Sequence, residues 1–309
     1  MAKSSQTTSK GSGTPVPPRQ KNRKPGAPAR GRQARQAQHR RNRMIAWLSV
    51  AAVVVIVAVV VAVGLSSSGS SGGPPREPAP AVDVAKLTSI PMSTLTGAAG
   101  TVSNLYAAQP INDKPLTSGG KPEMLYIGAE FCPICATERW PMLVALSHFG
   151  TFTGVKQTHS ALRDGDISTL SFYGSTFTSP YLAFVPVETT TNQPEGQGYK
   201  PLETPTKAEA ALWQKYDPAG DIPFIDIGGK YLLETAQFPD TLLSGLSFNT
   251  IVSEIGANNN TVGAAVDAAA TALVKYICTI TNNQPAKTCQ AVAGVNVPGT
   301  VSKGPSSKA

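Results

Sequence analysis

Acidic residues are missing from the first 43 positions, which also hold no cysteine and no aromatic side chain. Twelve Lys/Arg among Gln, Gly and Pro, without apolar periodicity, cannot build a core, so residues 1–43 read as a disordered basic tail. With no aromatics on which bases stack, no nucleic-acid partner is expected of it. The net charge of +8 is carried by this end alone: residues 66–309 hold fifteen basic against nineteen acidic side chains, which removes the case for a nucleic-acid-binding domain there. Histidine is equally scarce. His39, His148 and His159 are the whole supply, and no Ser/His/Asp arrangement can be argued from them. No internal repeat is present.

The one long apolar run is Met44 to Leu65, MIAWLSVAAVVVIVAVVVAVGL, which carries no charge. As a helix it would reach about 33 Å, enough to cross a bilayer. A cleaved signal peptide is the rival, but a preceding basic region of 43 residues, a long apolar stretch and the lack of an A-x-A site argue against it. Basic flanks stay in the cytoplasm, so the expectation is a single-pass cell-membrane protein, N-terminus inside and C-terminal domain extracytoplasmic. The juxtamembrane arginines then serve topology, or hold anionic lipid at about 1 kcal/mol each. Residues 66–83, opening SSSGSSGGPPREPAP, read as a flexible linker.

From residue 84 to 295 the composition is globular and long enough for one core, while 296–309 is expected to be disordered. Short extended or single-turn pieces are expected at Leu87–Leu95 and Val102–Tyr106. Glu123–Gly128 reads as a buried strand and Cys135–Phe149 as a helix with Trp140, Leu143, Val144 and Ser147 facing inward. Gly154–Ser160 reads as the next strand, paired parallel to the first. Leu170–Tyr173 and Leu182–Glu188 are two more strands, and Thr206–Tyr216 is a helix capped by Thr206. Asp221–Leu233 folds as strands about Gly228-Gly229, a hairpin signal. Pro239–Glu254 and Gly263–Ile280 read as helices, the second with Val266, Ala270, Leu273 and Ile277 on one face. Trp140 and Trp213 are expected in the core, and Glu130 and Glu138 as solvated charges on the helix flank.

All four cysteines lie beyond the apolar run, where disulfides persist: Cys132, Cys135, Cys278 and Cys289. Cys132-Pro133-Ile134-Cys135 places two thiols about one helical turn apart between a strand and a helix, the spacing of thiol–disulfide chemistry. Cys132 at the helix start gains from the macrodipole and free N–H groups, making it the expected attacker and Cys135 the resolver. A structural disulfide or half of a zinc site is the bland alternative. Zinc needs two more ligands, but ten residues separate Cys278 from Cys289, and His148 and His159 form no recognisable pair. For Cys278 and Cys289 a structural disulfide is expected, with a second redox pair as the alternative.

These residues resemble the thioredoxin superfamily. Ala129-Glu130-Phe131-Cys132 is similar to the entry of a thioredoxin active site, Pro133 to the C-P-x-C loop of glutaredoxins and DsbA-type proteins, and Ile222-Pro223 before a hairpin to the cis-proline segment that pairs with substrate backbone. The outer portion, including SFYGSTFTSPYLAFVPVE and ICTITNNQPAKTC, also resembles a membrane-anchored bacterial and archaeal family of uncharacterised function, domain of unknown function 929, over roughly Val84 to Val295. The resemblance implies an α/β, thioredoxin-like fold with inserted strands and helices. It implies catalytic Cys132 and Cys135, and substrate contacts at Ile222, Pro223, Phe131, Pro133 and Ile134. No organic cofactor or metal is called for, and the partners are cysteine-containing envelope or secreted proteins and a redox partner. Two departures stand out: Tyr126 sits where thioredoxin has a buried Asp, with Asp226 or Glu130 as substitutes, and Pro141 falls one position late. The competing functions are a non-catalytic adaptor or holdase built on Phe131, Pro133 and Ile134, and a metal-handling site.

Overall fold

The computed structural model describes residues 73–102, 105–257 and 261–296, and the short strands Gly299–Thr300 and Ser307–Lys308. The expected tail 1–43, the apolar run 44–65 and positions 66–72 of the expected linker lie outside the described residues. The chain divides into units 1–68 and 69–309, and every described residue belongs to the second.

A mixed sheet forms the centre. Its strands are β1 (Gln109–Pro110), β2 (Lys121–Gly128), β3 (Ala183–Glu188), β4 (Phe224–Ile227) and β5 (Tyr231–Leu233), in the order β3-β2-β4-β5-β1, with Thr117–Ser118 paired to the start of β2. β2 and β3 run parallel, from Ala183 opposite Glu123 to Glu188 opposite Gly128, and the remaining pairs are antiparallel. Glycines at 228 and 229, both near φ +70°, turn β4 back into β5, a conformation that disfavours side chains with a Cβ.

The helices are α1 (Ala81–Thr88), α2 (Met92–Ala99), α3 (Pro133–Leu146), α4 (Lys207–Tyr216), α5 (Phe248–Glu254), α6 (Thr261–Ile280) and α7 (Ala286–Val292). Side chains alternate across a strand, and that period assigns the two faces of the sheet. Met124 and Tyr126 with Ile225 and Ile227 join the large core that α3 and α6 complete. Leu125 and Ile127 with Phe224 and Val187 meet Leu212, Trp213 and Tyr216 of α4 on the other. α6 is long and apolar enough to cross a membrane by length and composition, yet 78% of that window is buried within the protein.

Several expectations need correction. The strand Lys156–His159 is not the parallel partner of β2: it pairs antiparallel with Ser168–Ser171 and with Glu77–Pro78, so both its edges are occupied and the crossover from β2 lands on β3. From Gly73 on, the expected linker is part of the fold. The carbonyls of Gly73 and Pro74 accept from Gln193 and Asn192, and a Cβ at Gly73 would lie 2.5 Å from the Ser160 carbonyl oxygen. Leu87–Leu95, expected as extended or single-turn pieces, is the end of α1 and the start of α2. Pro239–Glu254 is a 3-10 turn and α5 rather than one helix, broken where Gly245 takes φ +73°. Within the expected disordered end, Gly299–Thr300 pairs with Leu105–Tyr106, and Ser307–Lys308 with Asp221–Ile222. The helix α3 has no solvent-facing stripe: Ile134 through Leu146 are all buried, because core packs on it from several sides.

Candidate functional site

β2 ends at Gly128, and four residues later the chain enters α3 with Cys132 as its N-cap. Pro133 occupies the first helical position, where its missing N–H costs nothing. The Cys135 N–H donates to Cys132 Sγ at 3.1 Å, so an otherwise orphaned helix donor points at this sulfur. Cys132 Sγ lies 3.9 Å from the Ile222 carbonyl oxygen. The peptide from Ile222 to Pro223 is cis, and both residues are buried.

Cys132 and Cys135 are not bonded to each other, and both are fully enclosed. They pack in a small cluster of their own with Ala129, Ile134, Ile222 and Ala236, against which Phe131 and Trp213 lie half-buried. Burial pushes the Cys135 thiol up, helped by the hydrogen bond and charge of Cys132, while the Arg139 guanidinium and the Ala129 N–H pull it down. Of the residues expected at the site, Cys132, Cys135, Phe131, Ile134 and Ile222 are thus gathered into one cluster. Pro133 lies half-buried at the helix start, and Pro223 follows Ile222. Cys278 and Cys289 are elsewhere, joined by a disulfide from α6 to α7 within the large core.

Beneath the thiols lie charges that the sequence did not mark. Arg139, fully buried on α3, donates from Nε and Nη2 to the two carboxylate oxygens of Glu188 at 2.9 and 2.7 Å, and from Nη2 to the Ala129 carbonyl at 2.7 Å. Its place four residues after Cys135, on one helix face, was the available signal. Glu130 and Glu138 are not solvated flank charges, since both are fully buried. Glu130 accepts from Ser171 Oγ and from Arg76, each at 2.5 Å, and Glu138 accepts from the Gln237 N–H at 2.8 Å. Asp226 is engaged at the β4–β5 turn, accepting from the Gly229 N–H at 2.6 Å, and burial pushes its carboxyl up to about 6. Its charged neighbours are Asp113, Lys215 and Glu123, so it does not serve the thiols as the expected substitute carboxylate.

Beside the cluster opens a groove of about 480 Å³ lined by Phe131, Arg163, Asp164, Thr190, Gly198 and Tyr199. Phe131 and Tyr199 stack at 4.4 Å and 9°, and the Arg163 guanidinium sits 4.4 Å over the Tyr199 ring. The hairpin Thr190–Glu195 and Gly198–Pro201, absent from the sequence expectations, supplies this wall.

No curated protein and no solved structure matches the chain. The family model described as Domain of unknown function (DUF929) matches residues 108–279, more than half of the chain and every residue from Cys132 to Pro223, and the chain therefore belongs to that uncharacterised family.

Proposed function

We propose that the chain is a membrane-anchored thiol–disulfide oxidoreductase whose extracytoplasmic domain, with a thioredoxin-like fold, acts on cysteine-containing envelope or secreted proteins. The carrying observation is the Cys132 sulfur at the N-cap of α3, receiving the Cys135 N–H at 3.1 Å with the second thiol one turn away and unbonded. A sulfur so placed is stabilised as thiolate by the helix end. In the reducing direction Cys132 attacks a substrate disulfide: the Cys132–substrate bond forms, the substrate S–S bond breaks, and the released thiolate takes a proton. Cys135 then attacks Cys132 Sγ, closing the Cys132–Cys135 disulfide and releasing the second substrate thiol. Two electrons pass to the substrate. The oxidising direction runs the same steps backwards. Ile222 and Pro223 hold the substrate main chain, and the apolar run 44–65 with its basic flank holds the domain at the outer face of the membrane.

The test is equilibration of the protein in defined glutathione buffers, with alkylation and mass mapping of each cysteine. Reversible exchange at Cys132 and Cys135 is expected; a potential near about −120 mV marks an oxidant and one near about −270 mV a reductant. Absence of exchange sinks the enzyme.

One observation favours a second function. Both thiols are fully enclosed, and buried cysteines in apolar surroundings are inert. A binding module docking partners on Phe131 and the neighbouring groove needs no exchange. A Cys132→Ser variant that keeps partner binding favours it, whereas mixed disulfides trapped on Cys135→Ser favour the enzyme.

A further inference from the structure

We propose that Arg139 is a positioning residue for Cys135: fixed by Glu188 and clamped to the Ala129 carbonyl, it supplies the positive charge against which Cys135 turns anionic when it resolves a mixed disulfide. This rests on the exchange chemistry proposed above. The resolving step is Cys135–SH plus Cys132–S–S–R giving the Cys132–Cys135 disulfide plus R–SH. The S–S bond to the substrate breaks, the bond between the two cysteines forms, and the proton leaving Cys135 ends on the departing substrate sulfur. During that transfer Cys135 Sγ carries negative charge inside a dry apolar cluster, which is costly unless a charge or donors meet it.

The groups that face this sulfur are few. From its own helix come Cys132 and Arg139, while Glu138 is turned to Gln237. From β2 comes Tyr126, whose phenol burial keeps protonated, and the Ala129 N–H lies just beyond the strand. Glu188 of β3 is paired with Arg139. Glu130 is held by Ser171 and by Arg76, the cation that approaches from the N-terminal segment. Among the described residues Arg139 is thus the cation acting on Cys135, and its hydrogen bond to the Ala129 carbonyl fixes a residue that packs in the same cluster as Cys135 and whose backbone favours the thiolate.

Among the described residues, Arg139 Nη1 and Tyr126 Oη are buried without a hydrogen-bond partner, and the guanidinium lies 5.9 Å from the Tyr126 ring. The phenol oxygen folds back onto the strand end, so that a Cβ at Gly128 would lie 2.1 Å from it. Both groups feel the charge of Cys135. Two enclosed donors short of an acceptor are an expense that most folds remove. The reaction creates an anion at Cys135, about one helical turn before Arg139 on the same helix.

The test reads thiolate absorbance of Cys135 against pH in the full chain carrying Cys132→Ser, in which Cys278 and Cys289 stay bonded. Glu188→Gln leaves the Arg139 charge uncompensated and should make Cys135 at least threefold more acidic. The double variant Arg139→Met/Glu188→Gln removes the charge without stranding a buried carboxylate and should make it at least threefold less acidic. Arg139→Lys keeps the charge and should stay near the parent, a comparison that holds even where Glu188→Gln fails to fold. Opposite displacement of the two variants supports the assignment. Displacement of both in one direction, as general loosening would give, or of neither, overturns it. Because this titration needs no exchange partner, its failure is separable from a failure of the glutathione experiment.

Discussion

Gln237 and Glu138 are bound to each other across the core, the backbone N–H donating to Glu138 Oε2 at 2.8 Å in a site closed to solvent. Burial pushes the Glu138 carboxyl up to about 8, with the Gln237 N–H working against it. Between the unfolded value near 4.5 and about 8, the folded chain keeps a proton that the unfolded chain has lost. Stability therefore falls as pH rises through that window, at most by about 1.4 kcal/mol per pH unit, and flattens above it. Buried Asp267, pushed up to about 7 by burial against the Gly256 N–H, adds in the same sense. Urea unfolding at pH 5 and pH 8 should show Glu138→Gln losing on the order of 3 kcal/mol less than the native protein, with the Asp267 share of the loss remaining in both. Equal losses in both would remove Glu138 as the cause.

What was legible in the sequence was local. The capped helix at Thr206, with Glu209 answering back to the Thr206 N–H, and the turn at Gly228-Gly229 each depend on neighbours within a few positions. The placement of Cys132 at a helix start belongs to the same class. What escaped depends on distant partners: Arg139 looks like a solvent-facing helix charge until Glu188, 49 positions on, is seen to cover it. The pairing of β2 with β3 is hidden in the same way, since the strands between them satisfy one another and nothing in their patterning says so.

Phe131 and Tyr199 stack nearly parallel across the mouth of the groove, and such a pair contributes about 0.5–1.5 kcal/mol beyond its buried area. A double-mutant cycle with Phe131→Ala and Tyr199→Ala should return a coupling energy of about 1 kcal/mol in thermal or urea unfolding. A coupling of zero would mean that the hairpin closes over the site without Phe131.

The Cys278–Cys289 disulfide spans eleven positions and ties the end of α6 to α7. Closing a loop of that length in the unfolded chain contributes about 3 kcal/mol. Replacing both cysteines by serine should lower unfolding stability by roughly that amount while leaving the exchange behaviour of Cys132 and Cys135 unchanged. A change in their potential would instead assign the second pair to electron relay.

Ser307–Lys308 runs antiparallel to Asp221–Ile222, with Ser307 opposite Ile222, on the main-chain edge where the proposed substrate strand would lie. The Ile222 carbonyl is also the group that meets Cys132 Sγ, and Cys132 is fully enclosed. A two-residue ladder is weak, and a competing strand can displace it at small cost. Deleting residues 301–309 keeps the Gly299–Thr300 pairing and removes this one. Unfolding stability should change by less than about 0.5 kcal/mol. Alkylation of Cys132 by a small reagent should accelerate several-fold, and mixed-disulfide formation with a peptide disulfide more strongly, since the peptide needs the vacated edge as well as the sulfur. An unchanged rate for both reagents would show that the strand does not gate the thiol, and that Cys132 is enclosed by the walls of its own cluster.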